Sequence, residues 1–153
     1  MKNLSCFNNA ILIAAVAVLL GQGGFASAHT EGAVMDPAGN KASFTALALV
    51  TCFNDGGGDA DHIIARVRDN SPAVPGLLVS LQILKGGRAI NVTDATSGDA
   101  DFSNFVALHG GGGVYQLMAN KTAIGARDFE VEFHCNAADG THTGTSTFVL
   151  QFD

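Results

Sequence analysis

His29 holds the most chemical promise in this chain because of what stands before it. Residues 1–28 begin with Met1 and Lys2, pass through an apolar run at 10–20 and end Ala26-Ser27-Ala28. A positive start, an apolar middle and a small-x-small exit are the parts of a secretory signal peptide. Cleavage after Ala28 makes His29 the first mature residue, with an α-amine beside its imidazole. Those two nitrogens can close a chelate ring on a metal ion. A second imidazole completes a T-shaped set of three nitrogens, which suits Cu(II). His142 and His134 are the candidates to supply it.

A second donor set is made of oxygens. Asp55, Asp59 and Asp61 follow Asn54 around three glycines, and Asp99 and Asp101 flank another turn after Asp94. Carboxylates on flexible loops are the ligand type that calcium takes, six to eight oxygens at a time. Neither run has the spacing of an EF-hand loop. His62 and His109 lie beside Gly-rich turns and read as surface residues.

Enzyme signatures are missing. The sequence contains no G-x-S-x-G, no H-E-x-x-H and no phosphate-binding loop, and the glycine run 110–113 has no Lys-Ser/Thr after it. The expectation is a non-catalytic protein.

Removal of 1–28 leaves 125 residues, 29–153, which is one domain. It keeps all fourteen acidic residues against seven basic ones, a net charge of −7. An acidic chain with no basic patch argues against a nucleic-acid partner. The run at 10–20 is too short to cross a bilayer, and nothing later approaches the ~20 apolar residues that a span needs. Export places the product in the periplasm or the medium, an oxidising space. Cys6 leaves with the signal, so Cys52 and Cys135 remain as a matched pair and the expected disulfide.

The elements that must position these groups are strands. In residues 129–135, Phe129, Val131, Phe133 and Cys135 share one face, and Glu130, Glu132 and His134 the other, the period of a half-buried strand. Phe44, Ala46, Ala48, Val50 and Cys52 repeat the pattern. Further strands are expected at 63–68, 77–84, 89–93, 102–108, 114–120 and 145–152, and a first edge strand within 29–41, turning at Asp36-Pro37. Leu77, Val79, Leu81 and Ile83 form one inward set, and Phe148, Leu150 and Phe152 another. Gly-rich turns divide the strands. The fold expected is an antiparallel, immunoglobulin-like β-sandwich of about seven to nine strands with one disulfide. Phe133-x-Cys135 sits where such domains often carry Tyr-x-Cys, although the chain has no tryptophan.

The segment Ala138-Asp139-Gly140-Thr141-His142-Thr143-Gly144-Thr145, followed by Phe148, resembles the Asp-Gly-His-Pro…Gly…Phe ending of CopC-type periplasmic copper proteins. Thr141 is an added residue in that motif. Pro37-Ala38 follow His29 by eight and nine residues, as in that family. The resemblance covers the two ends of the mature chain. It implies a small β-sandwich that holds Cu(II) through His29, Asp139 and His142. The alternative expectation is a structural or interaction domain of the cell envelope, calcium-stabilised, that binds protein or glycan.

Overall fold

The computed structural model describes residues 29–153, so the expected signal segment lies outside the described residues. Nine antiparallel strands make up the fold: β1 (His29–Met35), β2 (Thr45–Phe53), β3 (Ala60–Asp69), β4 (Val79–Lys85), β5 (Arg88–Asp94), β6 (Val106–His109), β7 (Gly113–Lys121), β8 (Arg127–Ala137) and β9 (His142–Phe152). There is no helix among the described residues, and hence none long and apolar enough to cross a membrane. Each expected strand is present. The one expected over 102–108 is shorter, beginning at Val106.

The strands join in one barrel-like sheet of order β5-β4-β7-β2-β9-β8-β3-β6, with β1 on β8. The element that makes it continuous is β9. His142 and Thr143 pair with Asn136 and Cys135 of β8, and the strand then crosses to pair with β2 along 144–152. The two ends of the path come back together: β5 lies against β6, and Arg88 Nη1 donates to the His109 carbonyl at 2.7 Å. One strand thus belongs to both halves, which makes the sheet barrel-like.

Alternation decides which side chains fill the interior. Phe129, Val131, Phe133 and Cys135 are buried, as are Leu77, Val79, Leu81 and Ile83. Burying a side chain such as Phe133 contributes roughly 1.5–3 kcal/mol. Cys52 and Cys135 meet in the interior as a disulfide, with Cα atoms 5.5 Å apart and a sequence separation of 83.

The inward set expected on β9 is a correction. Phe148, Leu150 and Phe152 are 66%, 51% and 42% exposed. Ala48 pairs with Val149 but Leu47 pairs with Gln151, so Leu150 is an extra residue on β9. Such a bulge inverts parity beyond it. Val149 and Phe152, rather than Phe148 and Leu150, turn toward the apolar crevice beside β1 and β2.

A buried ion pair fixes the turn after β1. Asp36, in the left-handed region at φ 50°, accepts from the amides of Asn40 and Lys41 at 3.0 Å each and from Lys121 Nζ at 2.8 Å. Lys121 Nζ also donates to the Lys41 and Ala123 carbonyls at 2.8 Å. Burial pushes the Asp36 carboxyl up, but the lysine and the amide donors outweigh it and hold the group well below the usual carboxylate range. A carboxyl depressed on folding stabilises above its unfolded value near 3.8 and loses that contribution as pH falls further. Lys121→Met should strand the buried Asp36 carboxylate and lower the melting temperature far more than Lys41→Met at the surface, as differential scanning calorimetry at pH 7 can check.

Candidate metal centre

β1 and β9 compete for the same edge of β8. β3 pairs with β8 from Ala137 to Phe129, so the other side of β8 is shared. β9 takes Asn136 and Cys135, and β1 takes Phe133 onward, beginning at His29. Only His134 lies between. His29 thus stands at the fork where β9 leaves β8.

That fork gathers three imidazoles. The His29 ring stacks on Phe133 with centroids 5.8 Å apart and on His142 at 5.9 Å. His134 meets His142 edge-on at 5.6 Å. His142 is therefore central, with the other two rings against it. As they stand, the three rings do not offer three nitrogens within 4.8 Å of one another; the one His/Cys/Asp/Glu group among the described residues that meets this spacing is Asp61, His62 and His109. Rotation of the rings about their side-chain bonds is needed for a common ion.

The electrostatics separate the three. His142 Nε2 is buried and has no hydrogen-bond partner among the described residues. Burial, followed by the proximity of His134 and His29, holds its pKa below the ordinary imidazole value, with Asp55 acting weakly the other way. The neutral form of the ring is thereby favoured. His134 Nε2 lies 3.1 Å from Glu132 Oε1, and Glu132 Oε2 pairs with Arg66 Nη2 at 2.6 Å. Burial would raise the Glu132 carboxyl, but His134 and Arg66 lower it. A carboxylate on one ring nitrogen is the usual support of a metal-binding histidine, and it leaves Nδ1 of His134 for an ion.

The loop before β3 backs this site. The Thr143 hydroxyl lies 2.9 Å from the Phe53 carbonyl and 2.7 Å from that of Gly58, so its single proton ties the loop to β9. A Cβ at Gly57 would overlap the His142 carbonyl, so only glycine lets the loop come so close.

The other expected carboxylate ligands are held by their own turns. Asp139 Oδ1 accepts from the Thr141 amide at 2.9 Å within its own exposed turn, and that bond holds its carboxyl below the ordinary range. Asp55 Oδ1 accepts from Gly57 N at 3.1 Å, Asp59 Oδ1 from Asn54 Nδ2 at 2.9 Å, and Asp99 Oδ1 from Asp101 N at 3.1 Å. These carboxylates are engaged in shaping their turns. Asp61 instead joins His62 and His109, an association across two strands that no local pattern in the sequence signals. The carboxylate that acts on His142 is Asp55, which the sequence assigned to the oxygen donors.

No protein-family model matches this chain, and neither a curated protein nor a solved structure matches it.

Proposed function

We propose that the mature protein is an exported, non-catalytic copper-binding domain that takes Cu(II) at the fork between β1 and β9. His29 supplies its α-amine and imidazole, His142 the opposing imidazole, and His134 a third ring close by. The observation that carries this reading is the buried, partnerless Nε2 of His142 beside the ring of His29. A buried polar atom without a partner is disfavoured by about 1–3 kcal/mol, and a metal ion removes that penalty. The ladder adds support. The place opposite Cys135 is already held by Thr143, so chain ahead of His29 could follow β8 for no more than one residue. A mature terminus at His29 fits that limit.

The similarity of the two ends to CopC-type proteins points the same way, although Asp139 would have to leave its turn to join the ion. An immunoglobulin-like sandwich arrangement of these strands is part of the proposal, and the disulfide between β2 and β8 supports an oxidising location, periplasmic or secreted. Titration of the processed protein with Cu(II) should reach saturation of a tight site at one equivalent, with nitrogen hyperfine structure in the electron paramagnetic resonance spectrum. Absence of tight uptake would overturn the assignment.

A second reading, an envelope interaction domain that binds protein or glycan, has its own support. Phe148 and Leu150 stand exposed along β9, while Val149 and Phe152 line an apolar crevice of about 240 Å³. Exposed apolar surface of this kind suits a partner. Calcium stabilisation of the acidic loops would raise the melting temperature when calcium is added.

A further inference from the structure

A different corner of the barrel carries donors of its own. β3 begins with a bulge: Ala60 pairs with Ala137 and His62 with Asn136, which leaves Asp61 as the extra residue. Bulging lets neighbouring residues project together, where a regular strand would send them to opposite faces. Asp61 Oδ2 accordingly lies 2.9 Å from Nδ1 of its neighbour His62. His109, the cross-strand partner of His62 on β6, brings its own Nδ1 to 2.7 Å from the same oxygen, with the two rings 4.7 Å apart.

The frame around these three is fixed from several sides. The Asp61 carbonyl accepts from the amides of Gly110 and Gly111, at 3.2 and 2.8 Å, and so anchors the turn that follows His109. Tyr115 Oη, inside the barrel, donates to the Gly111 carbonyl at 2.8 Å, and Lys85 Nζ donates to the Gly111 and Gly112 carbonyls. Arg88 donates to the His109 carbonyl. The cationic ends of Lys85 and Arg88 are thereby occupied with backbone oxygens. Three donors on a braced frame, open to solvent through His109, have the layout of a preformed ligand set.

We propose that Asp61, His62 and His109 form a second divalent-metal site, which takes zinc(II) through the two Nδ1 atoms and one carboxylate oxygen. Two imidazoles and a carboxylate are donors that zinc accepts, and three protein ligands leave a fourth position for water. Zinc–ligand bonds of about 2.0–2.1 Å in a tetrahedron set ligand atoms about 3.3 Å apart, so each N···O separation must open by roughly half an ångström. The exposed His109 ring, on the solvent side, has room for that shift. The Nδ1 proton of each ring passes to Nε2 as the metal takes its place.

The test uses processed protein extended by one residue before His29, which removes the terminal amine from the first site. Equilibrium dialysis against zinc should give one bound equivalent, and cobalt(II) in its place should give the intense visible bands of a tetrahedral centre. Adding His109→Ala, a change at an exposed ring, should weaken zinc uptake at least tenfold and abolish those bands. Asp61→Asn should weaken it as well. Absence of zinc uptake by the extended protein, or uptake unchanged by His109→Ala, would overturn the site. Because His29 carries no α-amine in any of these forms, failure here is distinct from failure of the copper proposal.

Discussion

One extra residue ahead of His29 is expected to weaken tight Cu(II) binding by roughly 100-fold or more, about 2.8 kcal/mol. The extension turns a basic amine into an amide within the chain. His29 then offers the ion a single imidazole nitrogen in place of the six-membered chelate that its own amine and Nδ1 would close. It also forces backbone into the fork, where the next place along β8 is opposite His134 and the one after it is held by Thr143. A competition titration against a copper chelator of known strength measures the effect. His62→Ala should leave the tight step unchanged, since that ring belongs to the Asp61 group. His142→Ala should weaken it, because it removes the ring that faces His29. Equal affinity of extended and processed forms would exclude the terminal amine as a ligand.

Loss of the disulfide should be the largest single change in stability. Cys52→Ala with Cys135→Ala releases a restraint across 83 residues, and the chain-entropy treatment assigns that loop about 4.5 kcal/mol. Total stability of a domain this size is roughly 5–15 kcal/mol, so the loss is a large fraction of it. A shift of the urea midpoint without a change in slope measures it. The bond ties β2 to β8, strands that are not hydrogen-bonded to each other but both flank β9. Cys135 also pairs with Thr143 and adjoins His134, so reduction should loosen the copper site together with the barrel. A loss under 1 kcal/mol would show that packing alone holds β2 and β8 in place.

The strands were legible because the period of two is a local property. Phe129 through Cys135 and Leu77 through Ile83 alternate without interruption, and both inward sets follow. Phe148, Leu150 and Phe152 alternate just as regularly, yet the extra residue at Leu150 arises from pairing with β2, which no local pattern encodes. The same limit hid the Asp61 group. His62 and His109 are 47 positions apart in the chain, and their meeting depends on the register of β3 against β6. The buried pair of Asp36 and Lys121 is longer-range still, and nothing around either residue marks it as interior. By contrast, the convergence of His29 with His142 and His134 followed from placing two of them near strand ends, where a terminus and a turn can meet.

One strand shared by both halves of the barrel has a dynamic consequence. Neither half can melt alone, because the amides of 144–152 and those of His142 and Thr143 lie on a single rod that each half needs to complete its ladder. Denaturation should be all-or-none. The β9 amides that bond to β2 or to β8 should exchange at one common slow rate at both ends, leaving no half-open species in which the apolar lining of one leaf is bared to neighbouring molecules.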